Sequence, residues 1–127
     1  MKKRILGLSL VVTMLVPSMA FADTYTGTLL PALSGNQYLG WRTKTTNDKY
    51  YQHKVSKMGG SYTGVNNWMQ SRPGATTPKR LHRVGQPLAI VNFTNNSLVK
   101  GVPVRLNLEN STSTTVKVEA SGEYYLR

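Results

Sequence analysis

Val102-Pro103-Val104-Arg105-Leu106-Asn107-Leu108-Glu109 carries an aliphatic side chain at every second position, with proline or a polar residue in each gap. That period of two is the pattern of a strand with one face buried and one face wet. A strand of this kind needs partners. Its sequence neighbours are candidates on both sides: Leu88 to Thr94, across Asn95-Asn96-Ser97 and Lys100-Gly101, and Thr114 to Ser121, across Asn110-Ser111-Thr112-Ser113. The expectation is an antiparallel meander, closed by Gly122 and a last strand from Glu123 to Leu126.

The same reading extends towards the N-terminus. Thr24 to Leu30 is rich in β-branched and apolar residues and ends at Pro31 and Ser34-Gly35-Asn36. Tyr38 to Lys44 reads as a second strand, and Lys49 to Met58 as a third that Gly59-Gly60 stops. Ser61 to Gln70 reads as a strand interrupted at Gly64, with a single helical turn around Val65 to Met69 as the alternative. Ser71 to Lys79, with Arg72-Pro73-Gly74 and Thr77-Pro78, reads as a surface loop that separates two groups of strands, and Leu81 to Val84 as a short edge strand. No stretch sustains the three-and-four spacing of a helix. The fold class is therefore all-β, a single-domain antiparallel β-sandwich or small barrel of about seven to eight short strands.

The chain opens with Lys2-Lys3-Arg4, an apolar run from Ile5 to Val16, and Ala20-Phe21-Ala22. This is the layout of a secretory signal peptide over residues 1–22, with a secreted domain over 23–127. The apolar run falls short of the roughly 20 residues that span a bilayer. Without cysteine, the exported domain has no disulfides and no lipid-bearing thiol. Past the leader, thirteen basic residues face five acidic ones, a net charge of +8. Such a field attracts anionic polymers without choosing among them, and it also keeps an exported protein soluble.

Catalytic signatures are missing. His53 and His82 are the only histidines, and neither has a second histidine or a carboxylate at ligand spacing, so they read as surface residues beside lysines and no metal site is expected. There is no Gly-x-Ser-x-Gly elbow and no cysteine nucleophile. Glu119 and Glu123 read as solvated surface and not as a glycosidase pair. The glycines at 59, 60 and 64 lack the spacing of a phosphate loop. The expectation is a non-enzymatic protein without a cofactor.

One composite signal remains. Tyr38, Trp41, Tyr50, Tyr51, Tyr62 and Trp68 are interleaved with Arg42, Lys44, Lys49, Lys54, Lys57 and Arg72, and Lys79-Arg80-Leu81-His82-Arg83 follows. Aromatic faces stack on rings while cations hold phosphate, so a sheet face with both can bind an anionic polymer. The candidate binding residues are Tyr38, Trp41, Arg42, Lys44, Tyr50, Lys54, Tyr62, Trp68, Arg72, Lys79, Arg80 and Arg83. The alternative is that several of the aromatics, Trp41 among them, are simply core. The expected partner is an anionic cell-wall polymer or another extracellular protein, and not nucleic acid.

The leader, Trp41-Arg42-Thr43-Lys44, Gly64 to Trp68 and Gly101-Val102-Pro103-Val104-Arg105-Leu106 together resemble small exported β-proteins of Gram-positive bacteria. Among these the lactococcin-like bacteriocins are similar in leader, cationic charge, lack of cysteine and a tyrosine-rich final strand, here Tyr124-Tyr125. That resemblance implies a secreted antagonist whose partner is a lipid-linked wall precursor.

Overall fold

A computed structural model describes residues 22–72, 74, 76–94 and 98–127. The leader and the Asn95-Asn96-Ser97 turn lie outside the described residues. The strands are β1 (Ala22–Leu30), β2 (Asn36–Tyr38), β3 (Arg42–Thr43), β4 (Tyr50–Met58), β5 (Gly64–Ser71), β6 (Arg80–Arg83), β7 (Ala89–Asn92), β8 (Pro103–Asn110) and β9 (Val118–Leu126). They form two antiparallel sheets and no helix among the described residues. The first sheet has the order β1-β9-β4-β7, and the second β2-β8-β5-β6, with β3 also on β8. This is a β-sandwich with two open sheets, so the barrel alternative does not apply.

The strand that decides the fold is an interior strand, as its alternation suggests, but its partners are not its sequence neighbours. β8 pairs with β5 on one side and with β2 and β3 on the other. β7 and β9 both belong to the opposite sheet. The expected meander is thus replaced by a chain that changes sheet at each step from β7 to β9. The reason lies in the buried side chains: Val104, Leu106 and Leu108 of β8 pack across the sandwich onto the inward faces of β4, β7 and β9. Facing sheets bury more apolar surface than a single sheet can, and that gain outweighs the proximity of consecutive strands.

Four further differences have local causes. The Tyr38 to Lys44 strand breaks into β2 and β3 around Gly40 and Trp41. The loop from Ser71 to Lys79 does not divide the sheets, because it closes the β5–β6 hairpin, with Thr77 buried and its hydroxyl accepting from the Met69 amide at 2.9 Å. The two expected C-terminal strands are one, since β9 runs straight through Gly122. In β4 a register shift between Val55 and Lys57 turns Lys57 outwards and Met58 inwards. The expectations for β1, β4 and β6 otherwise agree with the structure to within a few residues.

The core is one cluster shared by both sheets. Tyr25, Leu30, Tyr51, Val55, Val91, Val118, Ala120 and Tyr124 of the first sheet meet Val65, Met69, Val104, Leu106 and Leu108 of the second. Phe93 and Leu98 close one side, and the Tyr51 and Phe93 rings lie 5.9 Å apart. Burying such a side chain stabilises by about 1.5–3 kcal/mol each.

Candidate functional site

The outer face of the second sheet gathers aromatic and cationic side chains from four separate parts of the chain. Period two points Arg105, Asn107 and Glu109 of β8 away from the core, and register places Arg105 opposite Gln70, and Asn107 between Tyr38 and Trp68. Trp41, just before β3, reaches the same face. The Arg105 guanidinium lies 3.9 Å from the Tyr38 ring centre and 4.7 Å from that of Trp41, and its Nε donates to Gln70 Oε1 at 3.1 Å. Arg72 continues β5 by one residue, its amide bonded to the Pro103 carbonyl at 3.1 Å, and its guanidinium lies 4.6 Å from the Trp41 ring centre. Further along, Lys79 covers Trp68 at 4.5 Å and forms an ion pair with Glu109 at 2.9 Å.

The sequence reading missed Arg105, the centre of this cluster. The outward residues of β8 read only as the wet side of a strand, because the aromatics come from β2, β5 and the β2–β3 connection. Nor is that face fully wet: Asn107 is completely buried and Arg105 is half-buried. Trp41, expected in the core, is instead half-buried on the outside.

The twelve candidate binding residues do not share one surface. Tyr38, Trp41, Trp68, Arg72 and Lys79 belong to the outer face just described. Arg42 lies beside it and is tied to Asp23 of β1 at 3.1 Å, a contact that raises the pKa of its guanidinium. Tyr50 and Lys54 point outwards from the opposite sheet, and Arg80 and Arg83 lie on the edge strand β6. Tyr62 packs on the core and donates to Thr114 Oγ1 at 2.9 Å.

Lys44 is corrected outright. It is 1% exposed, with Nζ donating to the main-chain oxygens of Asp48 and Arg127, each at 2.8 Å, and lying 4.7 Å from the Phe93 ring centre. Burial lowers its pKa, opposed by the Asp48 carboxylate. A side chain so enclosed holds loops together and cannot meet a partner.

The histidines are also corrected. Neither is a surface residue: His53 of β4 and His82 of β6 face each other between the sheets, Nδ1 to Nδ1 at 2.6 Å. Tyr25 Oη lies 2.8 Å from His53 Nε2, Asn67 Nδ2 lies 2.9 Å from His82 Nδ1, and Tyr51 Oη lies 2.7 Å from Asn67 Oδ1. One proton arrangement accounts for these contacts, with the single lone pair of His82 Nδ1 shared between two donors. The Arg80 carbonyl can only accept, so the Asn67 amide nitrogen, 3.0 Å away, must face it. The second hydrogen of that nitrogen then goes to His82 Nδ1, which is an acceptor. His53 Nδ1 must therefore donate, and its Nε2 accepts from the Tyr25 hydroxyl. Tyr51 donates to Asn67 Oδ1. Both imidazoles are neutral in this network.

Burial, reinforced by the neighbouring His82, pushes the pKa of His53 down to about 3, and burial lowers that of His82. Burial raises the Tyr25 and Tyr51 hydroxyls, and Tyr124 is pushed up to about 12. Among the described residues no cluster of three or more His, Cys, Asp or Glu side chains is placed to hold a metal ion. No helix of the described residues is long and apolar enough to cross a membrane.

No protein-family model matches the chain, and no curated protein or solved structure matches it significantly.

Proposed function

We propose that this protein is an exported, non-enzymatic β-sandwich that binds an anionic component of the cell envelope through the outer face of its second sheet. The observation that supports this reading is the convergence of Tyr38, Trp41 and Trp68 with Arg72, Lys79 and Arg105, drawn from four parts of the chain onto one face of a net-cationic molecule. Cations held over aromatic rings are partly ordered before a partner arrives, which lowers the entropy lost on binding. The positive field supplies the encounter, and the ordered face supplies the contact. The two histidines engage each other and their polar neighbours inside the sandwich, which favours a structural role for them over a catalytic one.

The test is retention of the purified protein on isolated cell wall at low and at moderate salt. Retention stronger than that of an unrelated protein of equal net charge supports the reading, and equal retention sinks it.

A further inference from the structure

We propose that Arg72 and Arg105, whose guanidinium groups both lie against the Trp41 ring, form a site for one phosphodiester group. This rests on the anionic-partner reading above and names the chemistry that the face recognises. Three of the cations around the sandwich are already paired with carboxylates: Arg42 with Asp23 at 3.1 Å, Lys79 with Glu109 at 2.9 Å and Arg127 with Asp48 at 3.8 Å. Arg72 and Arg105 have no carboxylate within ion-pair distance among the described residues, although their guanidinium groups lie 4.6 and 4.7 Å from the centre of the same indole. Two cations on one ring repel each other. The ring's negative face offsets part of that repulsion, and a bound anion would remove it.

The fixed geometry narrows the anion. Arg105 spends its Nε on Gln70, which leaves its terminal nitrogens for a partner, and the Arg72 amide bond to Pro103 anchors that residue beside it. The non-bridging oxygens of a phosphodiester project from a tetrahedral centre, so they can accept from two separate guanidinium groups at once. A carboxylate offers its lone pairs in a single plane and is filled by one fork.

The same contacts argue against ring stacking. Trp68 is only 8% exposed under Lys79 and two guanidinium groups lie against Trp41, so little indole surface is open to a base or a sugar, and the open part is the Tyr38 ring, 47% exposed beside Arg105. A partner that relies on stacking, such as single-stranded nucleic acid, is poorly served here.

Titrations followed by tryptophan fluorescence, which reports Trp41 and Trp68 alone, test the proposal. The probes are a glycerol-phosphate oligomer, phosphatidylglycerol vesicles, polygalacturonate as a carboxylate polymer, and an oligothymidylate. The glycerol-phosphate oligomer is expected to bind about tenfold more tightly than the carboxylate polymer. Arg72→Lys with Arg105→Lys keeps both charges but removes the forks, and should weaken binding about tenfold. Lys57→Gln with Lys117→Gln removes two exposed charges elsewhere, and should change binding by no more than about twofold.

Equal losses in the two double variants would overturn the site in favour of the general field. So would an unchanged affinity in the lysine pair, provided its melting temperature matches wild type. Equal affinity for polygalacturonate would overturn the phosphate assignment and leave the proposed function standing, whereas no binding to any anionic probe would overturn both. Binding to vesicles but not to the oligomer supports the site with a lipid headgroup as its source, and the reverse supports it with a polymer as its source. Tighter binding of oligothymidylate than of glycerol phosphate would overturn it, because the gain would have to come from base stacking.

Discussion

The two polar assemblies of this protein, one between the sheets and one on the outer face of the second sheet, are built on contrasting principles. On the inner side, Tyr25, His53, His82, Asn67 and Tyr51 form a linked chain of hydrogen bonds in which no charge is carried. On the outer side, Arg72 and Arg105 are charged, ordered by Trp41 and Tyr38, and lack a carboxylate among the described residues. Burial accounts for the difference. In the low-dielectric interior an unpaired polar atom costs about 1–3 kcal/mol and an unpaired charge far more, so an inner network is neutral and as fully paired as packing allows. At the surface water tolerates incompleteness, and an incomplete cluster is available to a partner. Substitutions inside should therefore cost stability, and substitutions outside should cost binding.

The most damaging test of the inner assembly is Gly122→Ala. An added methyl would meet the Tyr25 hydroxyl at 2.5 Å and would also collide with the Lys54 carbonyl on the neighbouring strand. It would displace the first donor of the network and part β9 from β4. A loss of about 3 kcal/mol or more is expected in urea denaturation, within the range of overpacked cores. Wild-type stability would show that the close approach of Tyr25 to β9 is not required.

Acid should come next. An unfolded histidine titrates near pH 6.5, whereas His53 in the fold titrates near 3 and His82 is also lowered. Above about pH 6.5 neither state binds these protons and stability should be flat in this respect. Below that value the unfolded chain takes up protons that the folded chain refuses, so stability falls with pH, by up to about 1.4 kcal/mol per pH unit for each histidine. Melting curves between pH 6.5 and 5 read this effect, and His53→Gln should reduce the slope. A flat profile for wild type would mean that the pair accepts a proton in place, and the neutral network would be wrong.

Tyr51→Phe probes one link of the same chain. The ring stays, but the Asn67 carbonyl oxygen loses its donor at a fully buried position. About 1–3 kcal/mol should be lost.

The fold was legible in the sequence where the information is local, and obscure where it depends on distant partners. The alternation from Val102 to Glu109 and from Tyr51 to Val55 reveals strands because each residue's face follows from its immediate neighbours. Strand order does not follow in this way. The pairing of β8 with β5, and not with β7 or β9, is decided by which apolar faces close on each other, and no short window of residues contains that choice.

The same limit hid both assemblies. His53 and His82 are 29 positions apart on strands of opposite sheets, and each sits among lysines and arginines that make it look exposed. Trp41 and Arg72 were visible as candidates for a binding face, but Arg105 was not among them, because its aromatic neighbours come from other strands. Lys44 shows the opposite failure: a lysine suggests solvent, and only the assembled loops reveal main-chain oxygens able to enclose it.

The smallest effect belongs to the closed ion pair beside the open arginine cluster. Lys79 and Glu109 meet at 2.9 Å, with the lysine side chain 54% exposed and the carboxylate largely sheltered. A double-mutant cycle with Lys79→Gln and Glu109→Gln isolates the pair, whose coupling should be about 0.2–1 kcal/mol in the folding free energy. Salt should reduce it, because the lysine is open to counter-ions, although the Trp68 ring beneath it retains part of the stabilisation at high ionic strength. Breaking this pair also alters the outer face in an informative direction. Glu109→Gln frees a cation further along the same face, so anionic probes should bind somewhat more tightly while stability falls. Lys79→Gln should weaken both. Opposite signs for the two variants in binding, and the same sign in stability, are what an outer face built for an anionic partner requires. If both variants weaken binding equally, the pair shapes the surface and its charge is incidental.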